Sequence, residues 1–266
     1  MSKNRIEAAM SSLKEKNEKA LITYITAGLP DLNTTKEIIK AQEAAGTDVI
    51  ELGIPFSDPI ADGPVIQQAS YEAILAGTTL RKVFTLMEEV RAEGVNIPIV
   101  FMMYYNTIIN YGIEAFVEKC NQVGVDGLII PDLPYEEQEL LQAEIDKSDA
   151  TILIQLLSPV SEDRIPTILE NAKGFVYCVS TMGVTGQTGS FHKKVKEYLS
   201  KVKSASKIPV MMGFGIKTAS DVLPMKDEID GAIVGSHFIN LLRENNFAPE
   251  AATAYCRSFK QELANL

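Results

Sequence analysis

Eight short runs of the chain are apolar almost without interruption, at positions 20–27, 48–54, 97–105, 126–132, 151–157, 174–180, 208–214 and 231–235. A strand with one face in water alternates apolar and polar residues, whereas a strand covered on both faces has no need to. Each run is too short to be a membrane span, the longest apolar stretch being 97–105. Between the runs the spacing turns helical. Positions 35–45 set Ile38, Ile39 and Ala41 on one face, and 80–92 set Val83, Phe84, Met87 and Val90 on another. Further helices are predicted over 112–123, 135–146, 161–172, 191–204, 218–225 and 249–264. Turn signals such as Ala45-Gly46-Thr47-Asp48 and Val123-Gly124-Val125-Asp126-Gly127 stand where strands begin.

Strands that alternate with helices form parallel sheets, and eight of them in 266 residues match the count and length of a (β/α)8 TIM barrel. The competing architecture is an open doubly wound sheet. That fold carries a glycine-rich turn after its first strand, and Ala27-Gly28-Leu29-Pro30 lacks the G-x-G-x-x-G form. No linker, low-complexity tract or block of charge divides the chain, so residues 1–266 read as a single α/β barrel domain. Ahead of the first strand, Ile6, Ala9, Met10 and Leu13 fall at helical spacing and predict an additional N-terminal amphipathic helix. The same segment is too polar for a signal peptide. Cys120, Cys178 and Cys256 are odd in number and far apart, as expected of buried thiols in a reducing compartment, so the expected location is the cytoplasm. A formal net charge of −10 argues against a broad nucleic-acid footprint.

In such barrels chemistry belongs to the C-terminal ends of the strands and the loops that follow them. No lysine lies inside any of the eight runs, which argues against a Schiff-base aldolase or a pyridoxal enzyme. With only two histidines, His192 and His237, neither a histidine-rich metal site nor a nucleophilic triad is expected. Acid–base chemistry by carboxylates remains. Glu51 interrupts an apolar strand, where an unpaired carboxylate is costly to bury. Either it is paired with a buried donor, or its pKa is raised and it serves as a general acid or base. Asp58 and Asp62 follow in a segment rich in proline and glycine that reads as loop, where aspartates commonly shape turns.

Phosphate recognition has its own pattern. Strand seven ends in Gly213-Phe214-Gly215-Ile216, and strand eight in Gly235-Ser236 before a helical stretch. Glycines let backbone N–H groups approach an anion, and a helix N-terminus adds a favourable dipole. The loops after strands seven and eight are a frequent phosphate site of this fold. The flexible, polar Gly183-Val184-Thr185-Gly186-Gln187-Thr188-Gly189 after strand six fits either a closing lid or a plain surface loop.

These residues carry a resemblance. Residues 51–69, the Gly183-Val184-Thr185-Gly186 loop and Gly213-Phe214-Gly215-Ile216 are similar to the α subunits of tryptophan synthase, in register over nearly the whole chain. The resemblance implies retro-aldol cleavage of indole-3-glycerol phosphate to indole and glyceraldehyde 3-phosphate, without metal or cofactor on this chain. It implies Glu51 as proton shuttle and Asp62 as acceptor for the indole N–H. Tyr24, Met102, Ile129, Ile154 and Tyr177 would then surround the substrate, with Thr185 pairing to Asp62. Gly186, Gly213, Phe214, Gly215, Gly235 and Ser236 would hold phosphate. The implied partner is a β subunit carrying pyridoxal phosphate, in an α2β2 tetramer, met through the loop that bears Pro55 and Asp58. Tyr24 departs from the phenylalanine common at its position. Two rivals are another phosphate-binding barrel, such as indole-glycerol phosphate synthase, which depends on strand-end lysines, and a barrel without activity kept as a scaffold.

Overall fold

The computed structural model describes residues 4–179, 188–213 and 215–266, the side chains of 188–192 excepted. Nine parallel segments follow one another around a sheet: β1 (Ala20–Thr26), β2 (Val49–Gly53), β3 (Ile99–Met102), β4 (Gly127–Ile129), β5 (Ile152–Leu153), β6 (Gln155–Leu157), β7 (Val176–Val179), β8 (Val210–Gly213) and β9 (Gly231–Val234). Their order is β5-β4-β3-β2-β1-β9-β8-β7-β6, and every pairing is parallel. The two outermost segments, β5 and β6, are halves of one run, separated by Ile154 alone. The first half pairs with β4 and the second with β7, so the sheet closes on itself through a single split strand. The eight expected runs are all present, the fifth of them broken.

The helices are α1 (Arg5–Lys16), α2 (Leu32–Ala45), α3 (Pro64–Leu75), α4 (Leu80–Ala92), α5 (Tyr105–Tyr111), α6 (Ile113–Val123), α7 (Glu139–Ile145), α8 (Ile165–Leu169), α9 (Thr188–Ala205), α10 (Ser236–Glu244) and α11 (Pro249–Leu263). Several depart from expectation. Asp58 and Asp62 lie in loop as expected, but an unpredicted helix follows: Gly63 caps α3 and Pro64 is its first residue, a position that needs no N–H. The run 97–105 stops being strand at Met102, and Tyr105 opens α5. The stretch 161–172 starts as a 3-10 turn and continues as the short α8, and 218–225 holds two 3-10 turns. On α2 the expected Ile38, Ile39 and Ala41 pack on the core, Ala41 only partly buried, and Gln42 is buried beside them, where the Thr23 hydroxyl on β1 donates to its side-chain oxygen.

Alternation along each strand divides the apolar residues into two cores. Leu21, Ile50, Leu52 and Phe101 face outward into a layer shared with the helices, among them Phe84 of α4 and Phe116 of α6. Ile22, Val49, Val100, Met211 and Ile233 face inward and fill the barrel. Ile6, Met10 and Leu13 of α1 join that inner cluster, so the N-terminal helix stoppers one end of the barrel. Asn4 fixes its start: the side-chain oxygen accepts from the Ile6 and Glu7 backbone, and the amide donates to Asp126 and Ala150 carbonyls at 2.7 Å each. Beside it Asp126 accepts from Arg5 and Arg91 at 2.9 Å each and from the Ile99 N–H. The three cysteines are free and buried, as expected.

Candidate active site

With one end stoppered, access is left to the other, where the strands end. Glu51 sits in β2 facing inward, opposite Tyr24 of β1 and Val100 of β3 in the pairing register. Only 3% of it is exposed, and its Oε2 has no hydrogen-bond partner among the described residues. Burial, reinforced by the charge of Asp62, pushes its pKa up to about 8. The structural alternative of a glutamate tied to a buried donor is not what these residues provide.

Asp62 is held differently. The Tyr104 hydroxyl donates to its Oδ2 at 3.0 Å and accepts from the Ala61 N–H at 3.0 Å. Gln67, one turn into α3, donates to the Asp62 carbonyl at 2.9 Å. Partial burial raises the Asp62 pKa to about 6, against the lowering effect of the Tyr104 bond. Tyr104 also stacks on Phe56, ring centres 5.0 Å apart, and Ser70 of α3 binds both the N–H and the carbonyl of Phe56. The loop between β2 and α3 is therefore tied at both ends to the barrel mouth. Tyr104 and Ser70 were not legible as site residues, Tyr104 because it closes an apolar run that reads as strand.

Two tyrosines wall the mouth, each beside a glycine. A Cβ on Gly53 would lie 2.0 Å from the Tyr24 hydroxyl, and one on Gly213 would lie 2.6 Å from the Tyr177 ring. Gly213 therefore makes room for a neighbouring ring, a role that the phosphate pattern did not anticipate. Burial and the carboxylate charges push both phenols well above their usual range. Thr26 donates to the Tyr24 hydroxyl at 3.3 Å. Met102 and Tyr177 lie partly exposed on the inner cluster, whereas Ile129 and Ile154 are packed within it, 2% and 1% exposed. Gly235 caps the start of α10 and Ser236 is its first residue; a Cβ on Gly235 would lie 3.8 Å from Tyr24 and Ile66, so this helix start, whose first N–H groups have no partner within the helix, stands beside the mouth. Gly215, at φ +67°, is exposed just past β8. Pro55 is partly buried and Asp58 exposed on the β2–α3 loop. Thr185, Gly186 and Phe214 lie outside the described residues. Among the described residues no group of three or more His, Cys, Asp or Glu side chains is arranged to hold a metal ion.

A closed parallel barrel with two carboxylates of raised pKa at the C-terminal mouth of its strands defines a barrel enzyme that works by acid–base chemistry. The sequence profile described as "Tryptophan synthase alpha chain" matches residues 10–266. A tryptophan synthase alpha chain from Lachnospira eligens is 62% identical over 261 residues, 98% of this chain and 99% of that one. One from Alkaliphilus metalliredigens is 47% identical over 236 residues, 89% of this chain and 88% of its own length. The crystal structure of tryptophan synthase subunit alpha from Legionella pneumophila superposes with a TM-score of 0.90 at 34% identity, covering 99% of both chains. This chain belongs to the tryptophan synthase alpha chain family. Its reaction is the cleavage of indole-3-glycerol phosphate in tryptophan biosynthesis, a lyase activity.

Proposed function

We propose that Glu51 moves the protons of this cleavage and that Asp62 holds the indole nitrogen. The bond between the indole C3 and the glyceryl carbon breaks only when the ring can take the electron pair. Protonation at C3, with the N–H proton drawn away, gives the tautomer that does so. With a pKa of about 8, Glu51 carries a proton at neutral pH and can deliver it to C3. Its carboxylate then takes the proton of the adjacent hydroxyl as the carbonyl forms. Asp62, near 6, is ionised at the same pH and accepts from the ring N–H. The pair is thus pushed into opposite protonation states, one acid and one base. Tyr24, Met102 and Tyr177 flank the indole, and the first turn of α10 at Gly235 and Ser236, with Gly215, meets the phosphate.

The single observation that carries this reading is the buried, unpartnered Oε2 of Glu51 at the strand ends. Its test is Glu51→Gln: kcat for indole release should fall by about 10²–10⁴-fold with substrate affinity retained. Near-normal turnover in a folded variant removes Glu51 from the mechanism.

The reading extends to a partner. Structures of Mycobacterium tuberculosis tryptophan synthase superpose on this chain with a TM-score of 0.86 at 29% identity. We infer a β subunit with pyridoxal phosphate in an α2β2 assembly, working in the cytoplasm, where thiols stay reduced. Support comes from the β2–α3 loop, whose Ile60 is 82% exposed beside Asp58 and two residues from Asp62. Contact there bears directly on Asp62. Titrating the β subunit into a steady-state assay should raise indole release, and Asp58→Ala should cut that rise more than the basal rate. A flat titration with demonstrably bound partner overturns the coupling.

A further inference from the structure

The stoppered end of the barrel holds a feature that the cleavage reaction does not use. A cavity of about 690 Å³ opens there, between the end of α1, the loops entering β1, β8 and β9, and the end of α11. That volume is in the range of small-molecule sites, about 300–1,000 Å³. Six lysines line it against three acidic side chains, Glu18, Asp227 and Asp230, in a protein whose net charge is −10. Lys14 and Lys16 close the last turn of α1, where the helix dipole favours cations. Lys203 likewise stands in the last turn of α9, but the dipole does not account for Lys19, Lys207 and Lys226, which come from loops and converge on the same space.

Three of the six are committed. Lys19 donates to the Lys226 and Ile229 carbonyls, Lys203 pairs with Asp230, and Lys226 donates to the Leu266 carbonyl. Lys14, Lys16 and Lys207 have no side-chain partner among the described residues. Positive charge is crowded here: the Lys19 pKa is lowered, first by burial and then, against the pull of Asp230, by Lys203. An anion in the cavity relieves that crowding. The walls also offer apolar surface. Ile208 and Pro209 are partly exposed, Ala264 is exposed, and Met10, Leu13 and Met211 lie beneath. The two methionine sulfurs suit an aromatic ring.

We propose that this cavity is a second ligand site, binding a small aromatic anion with its headgroup on Lys14 and Lys207 and its ring on the Ile208–Pro209 wall. The probe is 8-anilinonaphthalene-1-sulfonate, followed by its fluorescence on the full chain, with the catalytic mouth filled by saturating indole and glycerol 3-phosphate. The expected result is saturable binding of one equivalent. The double charge reversal Lys14→Glu with Lys207→Glu should weaken it by about tenfold or more. A control reversal of the same net charge, Lys147→Glu with Lys173→Glu on remote exposed lysines, should leave it unchanged. Both double variants should keep the cleavage rate, since none of these lysines is at the mouth. Absence of binding with the mouth filled overturns the proposal. Equal weakening in the two double variants overturns it too, since that reports only overall charge.

Discussion

Two carboxylates are almost completely buried at opposite ends of this barrel, Glu51 at 3% exposure and Asp126 at 1%. Asp126 accepts from two arginines and a backbone N–H. Glu51 has an oxygen with no partner among the described residues. Burial raises the pKa of both, but at Asp126 the arginines oppose it, while at Glu51 the neighbouring Asp62 adds to it. The same residue chemistry is thus structural where its charge is matched and reactive where it is not. Arg91 shows how thorough the matching is, with further bonds to the carbonyls of Val95, Ile97 and Gly124.

The comparison breaks if the two sites respond alike to loss of charge. Asp126→Ala leaves Arg91 buried without its counterion, and breaking a buried pair in this way costs about 3–5 kcal/mol. Urea denaturation should show that loss, with the cleavage rate of the folded fraction kept. An opposite effect is expected at the mouth. The folded protein holds the Glu51 proton more tightly than the unfolded chain, with a pKa of about 8 against 4.5. Its contribution to stability is therefore complete below about 4.5 and is lost as pH rises toward 8. Over that interval the parent protein should lose stability relative to Glu51→Gln, and parallel slopes would mean that Glu51 is ordinary. Smallest is Tyr104→Phe, which removes a hydrogen bond to Asp62 that lowers its pKa. The acid limb of the kcat profile, set near 6, should move upward, with a loss at neutral pH of about tenfold or less. An unmoved limb takes Asp62 out of that ionisation.

The sequence carried the top of this comparison better than the bottom. Glu51 stood out because a charge inside an apolar strand has few bland explanations. Asp126 read as part of a turn before a strand, and its partners Arg5 and Arg91 are 121 and 35 residues away, invisible to any local pattern. The eight strands were legible because their periodicity is local. The gap at Ile154 was not, since it arises from pairing with two different neighbours. Helix α3 was hidden by Gly63-Pro64, a pair that starts a helix as readily as it ends one. Gly213 was read as a phosphate-loop glycine, and the ring it accommodates was hidden because it lies on another strand.

That last relation reaches beyond this site. Tyr24 fills the space that a side chain at Gly53 would need, and Tyr177 does the same at Gly213. Each tyrosine and its glycine divide one fixed volume between adjacent strands, so the glycine is not free to grow alone. A larger residue at either glycine is tolerated only with a smaller one at its tyrosine, and shrinking the tyrosine alone leaves a void. Among relatives a side chain at either glycine should therefore come with a smaller residue at its tyrosine, and any redesign of this enzyme for bulkier aromatic substrates has to treat 24 with 53 and 177 with 213 as two-residue units.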